Sequence, residues 1–309
     1  MERTFNRREI LKIMGWSGLG VAAFPAVLSF GKQETMRQRK IPSSGEQLPI
    51  VGLGTWLQFD VGSSESARAP LKKVLQEMAR LGGKMIDTSP MYGRAEQVVG
   101  KLTTELGLQD QFFYATKVWT RGRQAGINQM ESSMRKLQRN PIDLMQVHNL
   151  IDWQTHLETM NRWKEDGKIR YTGVTHYTVS AYDELERIIK NRDIDFVQFN
   201  YSIRVRQAER TLLNTARENN VAVVINRPYE GGSLFGLVKG KRLPEWASDY
   251  DINSWGQFFL KYILSHPAVT CVIPGTSDPD HLIDNMKAGY GRLPDEKGRQ
   301  KMVQFIENL

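Results

Sequence analysis

The sequence predicts an α/β fold, a single-domain (β/α)8 TIM barrel. Three observations carry this reading. Short β-rich runs alternate with amphipathic helical stretches, and there are eight such runs. Each is apolar through its middle, as a strand covered on both faces must be. They recur at roughly 25–33-residue intervals, the length of a βα unit, and eight units close naturally into a barrel. A doubly wound open sheet is the alternative. No G-x-G-x-x-G follows the first run, which weakens the dinucleotide-fingerprint form of that alternative.

Taken in order, the chain begins with "FNRREILKIMGWSGLGVAAFPAVLSF". Arg7 and Arg8 are adjacent and are followed by Ile10, Leu11 and Lys12, then by a weakly apolar stretch to Phe30. This resembles a bacterial twin-arginine (Tat) export signal, with Asn6 where Ser or Thr is usual. Such signals are addresses and are set aside before fold reasoning. The resemblance implies a leader over residues 1–33 and a barrel over 34–309. It also implies the Tat translocase as a partner and export of the folded protein to the periplasm. Gly15, Gly18, Gly20 and Pro25 make the apolar stretch a poor spanning helix. Ala23-Phe24-Pro25-Ala26 only approximates a cleavage pattern, so an uncleaved leader acting as membrane anchor is the alternative.

The expected strands are 50–56, 84–89, 112–119, 143–150, 171–177, 196–202, 221–228 and 269–275. Between the first two, "APLKKVLQEMARLGG" puts Leu71, Val74, Leu75 and Met78 on one helical face, and Gly82 is its stop signal. "QTHLETMNRWKEDGK", "SAYDELERIIKNRD" and "ERTLLNTARENN" repeat the pattern, and "NSWGQFFLKYILSHP" ends before Pro267. The last interval is longer, and "KGKRLPEWASDYD" reads as an inserted loop within it. After Gly289 the tail reads as one terminal helix.

Composition excludes several classes. The chain has 309 residues, 25 % charged and 40 % hydrophobic, with a net charge of +8. The basic balance has no nucleic-acid reader motif beside it, so it reads as solvated surface. Cys271 is the single cysteine, which excludes an internal disulfide and a thiolate zinc cage. No metal is expected.

In a barrel of this kind the active site lies at the carboxyl ends of the strands. Asp87 ends the second run, and Tyr92 sits in the loop after it. Lys117 is near the end of the third run and His148 near the end of the fourth. Singly each has an ordinary reading: a helix-capping aspartate, an anchored aromatic, a satisfied structural histidine. A lysine within "YATKVW" is harder to dismiss, because lysines avoid burial unless paired. Four such residues on successive strand ends converge on one small volume.

"GLGTW", "IDTSPMYG", "TKVW", "DLMQVHN" and "VIPGTSDPDHLIDN" together resemble the aldo-keto reductase superfamily, in order, from about residue 40 to about 290. The resemblance places the family's catalytic tetrad on Asp87, Tyr92, Lys117 and His148. It implies NAD(P)H-dependent reduction of an aldehyde or ketone, with Tyr92 as proton donor. Lys117 would lower the phenol's pKa, Asp87 would hold the lysine, and His148 would orient the carbonyl. A nicotinamide-binding sensory or partner subunit on the same barrel is the alternative function.

The resemblance also implies an extended dinucleotide across the barrel mouth, with contacts beginning at Thr55 and Trp56. Thr175, His176 and Gln198 would hold the carboxamide, with His176 standing where Asn is usual. Asn226 replaces the usual stacking Tyr, followed by Arg227 and Tyr229. Gly231, Gly232, Ser233 and Leu234 match the pyrophosphate loop. Gly275, Thr276 and His281 match the adenosine-phosphate site without its usual cations, and Asp284 and Asn285 match the adenine pair. NADP is slightly preferred over NAD. The short tail implies an open substrate pocket lined by Trp56, Trp119 and His148.

Overall fold

The computed structural model describes residues 35–309. The leader reading, over 1–33, lies outside the described residues. Eight parallel strands run in chain order around one sheet. They are β3 (Leu53–Gly54), β4 (Met85–Asp87), β5 (Phe113–Val118), β6 (Ile142–His148), β7 (Ile169–Thr175), β8 (Phe196–Asn200), β9 (Ala222–Asn226) and β10 (Val269–Val272). Bridges from Val51 to Val272 and from Gly54 to Gly275 join the two ends of the sheet. Gly52 N–H donates to Val272 O at 2.9 Å across that seam. These bridges close the barrel, so the eight-stranded sheet has no open edge among the described residues.

All eight expected strands are present, but the first is shorter than the run 50–56 suggested. Only Leu53–Gly54 form ladder, with Val51 as a separate bridge. An antiparallel hairpin precedes them, β1 (Gln38–Lys40) with β2 (Gln47–Pro49), which the sequence reading did not anticipate. Strands of three residues are too short to show a period. The expected inserted loop is also not wholly irregular, since Glu245–Tyr250 form a 3-10 turn.

The helices follow their sequence signals. The helix α1 (Glu65–Arg80) buries Leu71, Val74, Leu75 and Met78, and Gly82 follows it with φ +74°. That left-handed conformation favours glycine and ends the helix. The helix α2 (Ala95–Glu105) follows the Tyr92 loop, and α3 (Arg123–Leu137) follows β5. Ser254 caps α4 (Trp255–Leu264) by accepting from Gln257 N, and Asp278 caps α5 (Pro279–Lys287). Each such cap is worth about 1 kcal/mol. Asp295 caps the terminal helix α6 (Glu296–Glu307), as the tail suggested.

Period-two alternation divides the strand side chains between two cores. Ile86, Tyr114, Val118, Val147, Val174, Val197 and Ile225 face the helices. Met85, Phe113, Ala115, Leu144, Tyr171, Phe196, Val224 and Cys271 fill the barrel interior together with Ile41 and Leu48 of the hairpin region. The hairpin thus plugs the floor. Space there is tight: a Cβ on Gly173 would lie 2.7 Å from Phe196 O, so β7 needs glycine opposite that aromatic. Further along four of the strands, the same inward face becomes polar. Asp87 follows Met85, Lys117 follows Ala115, Gln146 and His148 follow Leu144, and Gln198 follows Phe196. The alternation that builds the apolar floor therefore builds the polar layer above it.

Candidate active site

Lys117 is fully buried at the centre of that layer. Its ammonium donates to Asp87 Oδ2 at 2.6 Å and to Thr88 O at 2.7 Å. It also lies 5.0 Å from the centroid of the Tyr92 ring. Burial opposes its charge, but Asp87 and Tyr92 outweigh burial and hold the ammonium above its ordinary range. Asp87 is equally well held: its Oδ1 accepts from Gln198 Nε2 at 2.9 Å and from Gln146 Nε2 at 3.3 Å.

Tyr92 is half-buried on the loop from β4 to α2. The next residue, Gly93, has φ +61°, and a Cβ there would sit 2.3 Å from Asp60 Oδ2. Asp60 accepts from Arg94 N at 3.0 Å, which pins the loop just past the phenol. The sequence reading had Lys117 lowering the phenol's pKa. Lys117 does act in that direction, but burial is the larger influence and Asp87 adds to it, so the phenol lies above its ordinary value. Tyr92 is therefore a neutral phenol that keeps its proton until a strong base forms beside it.

His148 packs edge-on to Tyr92, with ring centroids 5.8 Å apart. Burial, with the Lys117 ammonium and His176 nearby, pushes its pKa down to about 2. The imidazole is neutral. Its Nδ1 lies 3.0 Å from Ser89 Oγ, and Ser89 Oγ itself accepts from Met91 N. The hydroxyl hydrogen is thus available to Nδ1, and the ring proton falls on Nε2 as a donor. Trp119 lies 6.4 Å from His148 between ring centroids. Trp119 and Trp56 are 42 % and 49 % exposed, which leaves the entrance lined by aromatic surface.

The four predicted residues are thus brought together, and both Asp87 and Tyr92 meet the same lysine. Sequence reasoning missed Gln146 and Ser89. Gln146 stands two residues before His148 on the same inward face, so alternation alone marks it. Ser89 lies between Asp87 and Tyr92 in the loop and carried no separate signal.

The expected cofactor residues divide. Gln198 makes four hydrogen bonds, all to protein. Its amide nitrogen donates to Asp87 and to Gln146 Oε1 at 3.4 Å, and its oxygen accepts from Thr175 Oγ1 at 3.0 Å and Asn226 Nδ2 at 3.3 Å. A primary amide has two donors and about two acceptor sites, so Gln198 is saturated here. In this structure it braces Asp87 and the residues beside it. Asn226 Oδ1, by contrast, is buried without a partner, and Thr175 Oγ1 keeps acceptor capacity. Those two atoms suit the N–H groups of a carboxamide. His176 Nδ1 accepts from Thr178 N at 3.2 Å.

Thr55 is buried with its hydroxyl donated to Asp87 O at 2.9 Å, which ties β3 to the tetrad. Arg227 is exposed and lies over the Tyr177 ring at 5.7 Å. With Asn200, Ser202, Glu230 and Ser233 these two residues line a cavity of about 350 Å³ at the strand ends. Gly231 and Gly232 both take positive φ, which shapes the loop before Ser233 and the buried Leu234. Tyr229 donates to Asn285 Oδ1 at 2.5 Å and packs on Phe235, 4.8 Å between centroids. Its hydroxyl is therefore committed to the expected adenine site. Asp284 accepts from Ser254 Oγ at 2.6 Å and Gln257 Nε2 at 2.7 Å. Thr276 is buried and His281 is exposed, and no Lys or Arg occurs from Gly275 to His281. A larger cleft, about 640 Å³, opens at the opposite ends of the strands, where Lys164 pairs with Asp195 and Arg170 with Asp143.

A closed parallel barrel with a buried Asp–Lys pair beneath a phenol and a neutral imidazole defines an oxidoreductase site of the carbonyl-reducing kind. The sequence pattern of the Aldo/keto reductase family matches residues 50–300. The chain belongs to the aldo/keto reductase family and is an NAD(P)-dependent oxidoreductase. It is 31 % identical over 259 residues to methylglyoxal reductase YeaE of Escherichia coli, covering 81 % of this chain and 89 % of that one. It is 28 % identical over 242 residues to the NADH-specific methylglyoxal reductase of Escherichia coli, covering 67 % and 72 % respectively. In fold it is similar to an aldo-keto reductase of Klebsiella pneumoniae solved in complex with NADPH. That likeness has a TM-score of 0.73 at 24 % identity and covers 88 % of this chain and 96 % of the other.

Proposed function

We propose that this protein reduces small aldehydes or ketones to alcohols, with Tyr92 as the proton donor, and that it is exported folded. The observation that carries the catalytic reading is the Lys117 ammonium, held by Asp87 at 2.6 Å directly beneath the Tyr92 ring. The bound dinucleotide would supply the hydride to the carbonyl carbon, resting against Thr175, His176 and Asn226. His148 Nε2–H donates to the carbonyl oxygen and sets its orientation. As negative charge grows on that oxygen, Tyr92 gives up its proton and forms the O–H bond of the alcohol. The phenolate left behind is stabilised by Lys117 and recovers its proton from solvent at the mouth. Asp87 keeps the lysine charged and directed throughout.

The names of the relatives, both methylglyoxal reductases, support short reactive aldehydes as the first substrates to assay. NADP is the proposed preference by family habit, although the segment from Gly275 to His281 offers no cation for a 2′-phosphate. Export rests on Arg7-Arg8 and the residues after them. Because the Tat route carries folded proteins, the dinucleotide would be bound before transport. The deciding experiment is Tyr92→Phe. It is expected to cut carbonyl reduction by about 10²–10⁴ while dinucleotide binding, followed by fluorescence, stays near wild type. Undiminished turnover in that variant would remove Tyr92 from the mechanism.

A further inference from the structure

One buried carboxyl is not used by the tetrad, although it lies against the tetrad's scaffold. Glu96, in the first turn of α2, is only 1 % exposed. Its Oε1 accepts from Thr116 Oγ1 at 2.6 Å. Thr116 is the residue immediately before Lys117 on β5, with its side chain on the outer face of that strand. The other oxygen, Oε2, is buried without a hydrogen-bond partner and lies 3.7 Å from Lys136 Nζ on α3. Burial raises the carboxyl's pKa, and the hydroxyls of Thr116 and Ser133 with Lys136 oppose that rise.

The position matters because of what is covalently attached at each end. Glu96 follows Tyr92 by four residues, and the link between them is short and hydrogen-bonded, Ala95 N–H donating to Tyr92 O at 3.1 Å. Thr116 precedes Lys117 by one residue on a fully buried strand. The Glu96–Thr116 bond therefore ties the segment that carries the phenol to the strand that carries the ammonium. It does so from behind the sheet, where no substrate reaches. On the mouth side, the Lys117 ammonium lies 5.0 Å from the Tyr92 ring centroid and also interacts with the Tyr92 hydroxyl. The 2.6 Å Thr116–Glu96 bond behind the strand adds a second, independent constraint on the register of the two groups.

We infer that Glu96 is a positioning residue: through Thr116 it fixes the spacing between Tyr92 and Lys117 on which proton transfer depends. This rests on the catalytic reading above. Misplacing a reacting group by about 1 Å costs on the order of 10²-fold in rate, so loosening this tie acts on turnover rather than on substrate or dinucleotide binding.

The test uses the full chain in four forms: Glu96→Ala, Thr116→Val, the double variant and Glu96→Gln, each assayed for reduction of methylglyoxal. Thr116→Val removes only the hydroxyl while keeping the volume, so it decides the matter even where Glu96→Ala does not fold. The expected result is a kcat about ten- to hundredfold lower in either single variant, with the dinucleotide Kd and the substrate KM near wild type. The double variant should lose no more than the worse single one, because both break the same bond. Glu96→Gln keeps an acceptor for Thr116 and should restore most of kcat. Wild-type kcat in folded Thr116→Val would overturn the inference, as would additive losses in the double variant. A wild-type protein that reduces no carbonyl would instead count against the catalytic reading itself, so the two failures are distinguishable.

Discussion

Replacing Lys117 by Met tests the centre of the site most directly. Methionine roughly conserves the volume but removes the ammonium. Asp87 would then remain buried, with only the Gln198 and Gln146 amides at 2.9 and 3.3 Å to offset its charge. Breaking a buried pair by removing one partner costs about 3–5 kcal/mol. The two surviving amide bonds place the expected loss near the lower end of that range. For a chain of this size, 1 kcal/mol is worth about 2–4 °C in Tm, so melting should fall on the order of 10 °C. Turnover should fall as well. Of the influences on the Tyr92 phenol, only Lys117 lowers its pKa; burial and Asp87 both raise it. Removing the lysine leaves the two raising influences unopposed, so the phenol becomes a weaker acid and its phenolate loses its counter-charge. The variant also carries a sign test. A lysine whose folded pKa is raised contributes stability that is present below its unfolded pKa, near 10.4, and is lost as pH rises through the folded value. Wild type should therefore shed stability at strongly alkaline pH through this group, and the Met variant should lack that component. Unfolding by urea at several pH values and initial-rate kinetics together read all three effects. A Lys117→Met protein with wild-type melting and wild-type kcat would refute the buried-pair reasoning.

Other outcomes follow from the same geometry. His148, depressed to about 2, and His266, depressed to about 4 by burial first, both stay neutral in the fold while their unfolded forms take up protons near 6.5. Their stability contribution is present above pH 6.5 and is lost as pH falls toward the folded values, so unfolding free energy should decline from pH 7 to pH 4; a flat profile would contradict their neutral burial. The kcat profile should show no group titrating near 6.5 that disappears in His148→Gln. Asn226→Leu should weaken dinucleotide binding by removing the unpaired Oδ1, measured by fluorescence titration, and should also lower melting somewhat because it removes the Nδ2 donor to Gln198 Oε1 and His176 O. Arg7-Arg8→Lys-Lys should retain the protein in the cytoplasm on fractionation, and unchanged location would end the export proposal.

Lys117 and His148 were legible because they lie near the ends of longer, strongly apolar strands, whereas Asp87 ends a three-residue strand and Tyr92 lies in a loop, so the "IDTSPMYG" motif located those two. Lys117 stands out within "YATKVW" since a lysine flanked by such residues must be buried and therefore paired. The eight-unit repeat was legible for the same reason. What escaped was governed by shorter or longer ranges. The strands β1 and β2 have three residues each, below one useful period, and only the filled barrel shows why Ile41 and Leu48 are needed. The saturation of Gln198 depends on four partners drawn from four different strands. The acidity of Tyr92 is a balance of opposing influences, and sequence gives their signs but not which is larger. Glu96 has no signal of its own in the sequence; its burial against Thr116 comes from the packing of α2 beside β5.

The hairpin plug sets how traffic through the molecule must run. Ile41 and Leu48 close the lower end of the barrel against Met85, Phe113 and Tyr171. Among the described residues that end is filled, so on the proposed reading the carbonyl compound, the departing alcohol and the water that recharges the Tyr92 phenolate would share the doorway at the other end. A dinucleotide stretched across that doorway, as proposed, would arrive before the carbonyl and leave after the alcohol. Ordered sequential turnover is thus the kinetic pattern that a plug of two three-residue strands at the far end of the molecule would favour.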